Sequence, residues 1–305
     1  LTAAYKYITF TYMLQLYPKS AGLVLVVLLL ACTKSGEPES FQPLFKEATG
    51  VLLAGSFPGE VSGMADSYRQ SGSIWLIQDS HNGNELLRVN HSGELQPSVS
   101  IPGADNRDWE DLSIGAGPDP SVKYLYIAET GDNARQHNEY AIYRMEEPDA
   151  GVTTVQNLVK IRFVYGDQAS HNTEAILVDP ATRDILLVTK EKPAEIYVIR
   201  YPYKTDELNT AVFAGATKLE TVTGAAISSD GKEVLLRTYT GIHYWKRTEG
   251  EAVEAAMQRD AVSITPALEP QGEAIAFKTD GKGFYTLSEN AGLQLSLRLN
   301  YYARN

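Results

Sequence analysis

The sequence predicts an all-β fold built as a ring of repeated four-stranded units, and three observations carry that expectation. The first is a recurring stretch. Glu110 opens the apolar run Leu112-Ser113-Ile114, and the same grammar returns at Thr173-Glu174-Ala175-Ile176 and at Gly272-Glu273-Ala274-Ile275-Ala276-Phe277. Two copies lack the acid: Val61-Ser62-Gly63-Met64 and Val222-Thr223-Gly224-Ala225. The second is the spacing. The equivalent positions, Ser62, Glu110, Glu174, Thr223 and Glu273, are separated by 48, 64, 49 and 50 residues. A repeat in the high forties is the length of a four-stranded propeller blade. The third is the composition downstream of each copy: short runs with β-branched or aromatic content, bordered by turn residues.

Taken in order, the first unit predicts strands over 60–67, 73–79, 85–90 and 94–101. The second predicts them over 109–116, 124–129, 140–145 and 155–165. The third gives 174–179, 185–190, 195–200 and 211–222, and the fourth 223–228, 233–239, 242–246 and 262–266. The fifth offers only 273–278, 283–289 and 293–301. Asp230-Gly231 and Asp280-Gly281 fall at turns between first and second strands, where φ > 0 is needed. The fifth unit is one strand short, and Val51-Leu52-Leu53-Ala54 has no unit of its own. Pairing the two would close the ring and remove an exposed edge. The count is five blades; six is the alternative if the long second interval hides one. Residues 250–260 carry Ala252, Val253, Ala255, Ala256 and Met257 at helical spacing, which predicts a surface helix.

The 305 residues suffice for one large β domain, here residues 44–305. A net charge of −11 argues against nucleic acid, whose phosphates need a basic face. It suits an exposed acidic surface or one that collects cations. At the N-terminus, Lys19 precedes an apolar run that ends in Leu29-Leu30-Ala31-Cys32. A charged residue, about ten apolar residues and a small residue before the cut make a secretory signal over residues 1–32. Leu-Leu-Ala-Cys resembles the bacterial lipobox, which implies that Cys32, the single cysteine of the chain, becomes an acylated N-terminus. The expected location is then exported and lipid-anchored to a bacterial membrane. Residues 33–43 have linker composition.

Topology turns these positions into a site. In a propeller the first strand of each blade lines the channel and starts at one face, and the second strand returns to that face. The repeated positions therefore share a rim with the second-strand ends: Asp79-Ser80-His81, Glu129-Thr130-Gly131-Asp132-Asn133, Lys190-Glu191, Arg237-Thr238-Tyr239 and Glu289-Asn290. The expected metal ligands are Glu110, Glu174 and Glu273, with Asp108 and Asp132. The expected ligand-binding residues are Lys190, Arg237, Glu129 and Glu289, and Asp111 is a further oxygen donor. Carboxylates at ~4 Å repel by about 4 kcal/mol per pair at an effective dielectric near 20. Protons, basic residues or a cation must offset that. Many oxygen ligands favour Ca²⁺. Zinc is not expected, because His81, His91, His137, His171 and His243 show no metal-ligand spacing. Trp109 reads as a packing residue between blades.

Asp108-Trp109-Glu110-Asp111, Tyr126-Ile127-Ala128-Glu129-Thr130-Gly131-Asp132-Asn133, the two Glu-Ala-Ile openings and Leu236-Arg237-Thr238-Tyr239 resemble secreted bacterial propellers of the SdiA-regulated and phytase-like groups. The resemblance spans about residues 58–290. It implies a Ca²⁺ site on the channel axis and, in the phytases proper, phosphoester hydrolysis. The chain departs from it at Thr223-Gly224-Ala225-Ala226, where Thr-Gly-Ala-Asp would supply another acid. No Gly-x-Ser-x-Gly elbow and no phosphate-binding Gly-rich loop occur. The leading expectation is a lipid-anchored propeller that binds Ca²⁺ and a small-molecule or protein ligand at its acidic rim. The alternatives are a Ca²⁺-dependent phosphoester or ester hydrolase and a structural scaffold of a surface complex.

Overall fold

A computed structural model describes residues 43–54, 60–290 and 296–305. Residues 1–42, on which the expected signal, Cys32 and most of the expected linker fall, lie outside the described residues. The domain is all-β with a propeller-like arrangement of antiparallel sheets. Thr49–Leu52 (β1) is followed by a meander of Val61–Asp66 (β2), Ser73–Gln78 (β3), Glu85–Asn90 (β4) and Leu95–Ser100 (β5). A second meander joins Trp109–Ala116 (β6), Lys123–Glu129 (β7), Tyr140–Glu146 (β8) and Val159–Tyr165 (β9), and a third joins Thr173–Val178 (β10), Ile185–Thr189 (β11), Glu195–Ile199 (β12) and Asn209–Ala216 (β13). A parallel pairing of β13 with β9 merges these two into one eight-stranded sheet. A fourth comprises Val222–Ile227 (β14), Glu233–Thr238 (β15), Gly241–Lys246 (β16) and Val262–Ile264 (β17), and the last Gln271–Phe277 (β18), Gly283–Glu289 (β19) and Arg298–Ala303 (β20).

The last sheet takes its fourth strand from the start of the chain. Thr49 faces Tyr301 and Leu52 faces Arg298, as the missing strand led one to expect. Phe45 bridges to Arg304, and its ring packs on Tyr244 and Phe284. The first strands β2, β6, β10, β14 and β18 each pack on the next, and β18 packs on β2, so they run round a closed circle. A hydrophobic cluster fills each gap between neighbouring sheets. Both faces of most strands are therefore covered, which is why runs such as Ile74-Trp75-Leu76-Ile77 are apolar without alternation. Burying one such side chain is worth about 1.5–3 kcal/mol. Trp109 is fully buried in the cluster between the first two meanders, against Tyr143, with its indole N–H on the Asp105 carbonyl (2.9 Å).

The helix expected over 250–260 is shorter, Val253–Met257 (α1), and buries Val253, Ala256 and Met257. Gly231 and Gly281 do adopt positive φ (71° each) at the expected turns. The long second interval holds four strands plus an insertion between β8 and β9. That insertion straps the second meander to the first. Buried Glu147 accepts hydrogen bonds from Ser67 Oγ, the Tyr68 and Arg69 N–H groups and the Trp75 indole.

Candidate metal centre in the channel

The repeated position has a structural meaning that the spacing alone does not reveal. In all five inner strands the register skips one residue. Val61 and Gly63 face consecutive partners, as do Trp109 and Asp111, Thr173 and Ala175, Val222 and Gly224, and Gly272 and Ala274. The skipped residues are Ser62, Glu110, Glu174, Thr223 and Glu273. Each is the extra residue of a β-bulge, a device that re-aims a side chain out of the ladder. Four of the five aim at one place. Ser62, Glu110, Glu174 and Glu273 line a polar cavity of about 240 Å³, together with Asp79, Asn133, Lys190, Tyr239, Gln271 and Glu289. Thr223 instead gives its hydroxyl to the Gly272 carbonyl (2.7 Å).

The carboxyl groups are packed closely. Oxygens of Asp79, Asp108 and Glu110 lie within 4.8 Å of one another, the one such trio of potential metal ligands among the described residues. Burial, then the neighbouring Asp79 carboxyl, raises Asp108 to about 7. Burial, then Glu174, raises Glu110 well above the carboxylate range and Glu273 to about 8. Burial, then Asp79, raises Glu289 to about 7. Glu174 is also raised, burial outweighing the pull of Lys190. Lys190 Nζ lies 2.7 Å from Glu174 Oε2 and 5.1 Å from the centroid of the Tyr239 ring. Burial lowers the Lys190 ammonium, but Glu174 raises it more. One ammonium thus stands among six carboxyl groups. The Ser62 hydroxyl, 6% exposed, has no hydrogen-bond partner.

Not every residue expected on the rim reaches this cavity. Asp132 is withdrawn. Its carboxylate accepts the Gln136 and His137 N–H groups (2.7 and 2.9 Å) and the Tyr140 hydroxyl (2.8 Å), shaping the β7–β8 loop. Burial raises its pKa, and those hydrogen bonds more than offset it, so the group ends below its ordinary value. Arg237 is 1% exposed and bonded to Glu269, whose other oxygen takes Thr286 and Asn300 (2.8 Å each), so it faces the gap between the last two sheets. Glu129 acts from beneath. It accepts the Arg107 and Asp108 N–H groups (3.0 Å each) and so holds the loop that carries Asp108. The next loop approaches so closely that a Cβ at Gly131 would collide with the Asp108 and Glu110 carboxyls. Ala226, where the resemblance pointed to a missing acid, lines the other half of the channel, so the cavity loses no ligand there.

Asp111 divides those two halves. It is fully buried and accepts the N–H groups of Leu112 (2.8 Å), Ile176 (2.9 Å) and Ala225 (3.2 Å), which belong to three inner strands. Burial raises it to about 8 against the pull of those donors. Asn172 and Gln271 are not among the residues that the sequence pattern singles out. Asn172 Nδ2 donates to Glu174 (2.6 Å) and Gln271 Nε2 to Glu273 (2.9 Å). Both stand two residues before a bulge, as Asp108 does. That second polar register, repeated at the same intervals, is the signal that could have found them.

No protein-family model matches the chain, and no curated protein matches it in sequence. Among solved structures, Kuenenia stuttgartiensis hydrazine synthase is similar, with a TM-score of 0.41 and 10% identity over 80% of this chain and 71% of that one.

Proposed function

We propose that this chain is a five-bladed propeller whose channel cavity binds a hard divalent cation, Ca²⁺, and through it a small-molecule or protein ligand. One observation carries the reading: bulges at equivalent points of separate sheets turn oxygen donors into a single cavity where carboxyl groups outnumber the one ammonium, Lys190. Glu110, Asp79 and Asp108 are the core of the ligand set, and Glu174, Glu273 and the unpartnered Ser62 hydroxyl complete it. The donors are all oxygens, which suits Ca²⁺. A divalent ion would replace the protons that the raised carboxyls now favour. The hydrolase alternative has less support, because Arg237 is engaged with Glu269 and Lys190 with Glu174, which leaves little to receive a phosphoryl group.

Calorimetry on the chelated protein tests this. Ca²⁺ should bind with Kd of about 10⁻⁴–10⁻³ M, the range of extracellular modules. It should stabilise the fold by about 2.7 kcal/mol at 100 times Kd. Glu110→Gln keeps the shape and should remove most of that gain. No binding heat and no rise in melting temperature at millimolar Ca²⁺ would sink the reading.

We propose further that the protein is exported and held to a bacterial membrane by acyl chains on Cys32. The apolar run stopping at Ala31-Cys32 supports this. Expressed in a bacterium, the wild-type protein should enter the detergent phase and Cys32→Ser should not. Equal aqueous partition of both would dismiss the anchor.

A further inference from the structure

The fold offers the cavity a second ring of equivalent positions. The residue before each bulge has a partner on the second strand, and one residue follows that partner. These followers are Asp79 after Gln78, Thr130 after Glu129, Lys190 after Thr189, Tyr239 after Thr238 and Glu289 after Ser288. Asp79, Lys190, Tyr239 and Glu289 line the cavity, and Lys190 is the single basic side chain among the residues that line it. The register thus sets one ammonium where two other units set a carboxyl.

Lys190 is placed by its backbone and engaged through its side chain. Its N–H donates to the Asn172 carbonyl (2.9 Å), and the Asn172 side-chain amide donates to Glu174 Oε1 (2.6 Å). The Lys190 ammonium takes the other oxygen, Oε2, at 2.7 Å. Both oxygens of Glu174 are therefore engaged. The Glu174 side chain is 3% exposed and that of Lys190 22%, so the ammonium is the partner with a way out. A metal ion on the same oxygen would be pressed against the ammonium, and like charges at that range repel strongly, so one cation must give way.

Which cation gives way follows from charge and tethering. The ammonium is covalently attached and re-enters at high effective concentration. A monovalent ion brings the same single charge and must also shed water, so it gains nothing over Lys190. A divalent ion doubles the attraction to every carboxyl. Ca²⁺ also takes six to eight oxygens, whereas an ammonium has three donors. The flexible lysine stem lets the displaced ammonium move towards solvent and the Tyr239 ring, whose centroid is 5.1 Å away.

We propose that Lys190 is the resident counter-cation of the cavity: it holds Glu174 until a divalent ion displaces it, and so sets the preference for divalent over monovalent cations. This rests on the cation-binding reading above, and it gives Lys190 a part other than the ligand contact expected from the sequence.

The test is calorimetric titration of the chelated protein with Ca²⁺, in NaCl and in choline chloride at matched ionic strength, so that screening is equal. Wild type should bind Ca²⁺ equally in both salts. Lys190→Met should bind about tenfold more tightly in choline chloride. It should lose most of that gain in NaCl, because Na⁺ then competes for the place the ammonium held. Lys190→Arg keeps the charge and should stay within about threefold of wild type. Lys190→Gln removes the charge but keeps a polar side chain, and carries the test if Lys190→Met does not fold. Ca²⁺ binding by wild type with no tightening in the neutral variants overturns the proposal and leaves the cation site standing. Equal tightening in Lys190→Arg, or neutral variants that bind alike in both salts, also overturns it. No Ca²⁺ binding by wild type or any variant overturns the proposal and the cation site together.

Discussion

At the scale of the residue, Asp111 has a role that its counterparts cannot share. Gly63, Ala175, Gly224 and Ala274 occupy its place in the other inner strands, so one carboxyl gathers backbone N–H groups from three strands. Asp111→Ala would leave those donors buried and unsatisfied, at about 1–3 kcal/mol each. We expect a loss of roughly 3 kcal/mol or more in urea unfolding, and a midpoint within error of wild type would refute the role. The sequence shows an acid at 111 but not its direction. It reads as one more donor at the rim because a bulge reverses the simple alternation from which facing is inferred. The same cause hides Asp132 and Arg237. Each lies at or just beyond the end of a second strand, as the rim residues do, but local backbone donors capture the first and a buried glutamate 32 residues away captures the second.

At the scale of the element, β1 carries more than its four exposed residues suggest. It supplies the edge of the last sheet, and the residues around it bury Phe45 and Leu53. Deleting residues 44–53 would strip those contacts and expose the edge of β20. Stability should fall by several kcal/mol (about 2–5 for the loss of large core side chains alone), with increased aggregation. A truncated chain that melts cooperatively at the wild-type temperature would contradict this. The strand pairing itself was legible, because a unit short of a strand and a strand without a unit lay at opposite ends of the chain. Strand limits were less so. β13 spans Asn209–Ala216, not 211–222, because Val222 begins the next inner strand, and the parallel seam between β13 and β9 has no local pattern to announce it.

At the scale of the whole molecule, the crowded cavity should govern how stability responds to pH. Free carboxyls titrate near about 4. Burial holds Glu273 near about 8, and Asp108 and Glu289 near about 7, in the folded chain. Between about pH 4 and pH 8 the folded state therefore binds more protons than the unfolded one, and stability falls as pH rises through that window. The chelated protein should melt at a lower temperature at pH 8 than at pH 5, and saturating Ca²⁺ should flatten the difference. A chelated protein whose melting temperature climbs from pH 5 to pH 8 would contradict the arrangement. The pairing of β1 with β20 also has a mechanical consequence. Ala303 stands opposite Gly283, at the end of β19 away from Glu289 and the cavity, and Phe45 bridges to the adjoining Arg304. Both ends of the described chain thus leave the ring on the side remote from the cavity. A force applied at the first described residues would therefore load that far side of the ring, not the rim that carries the cavity.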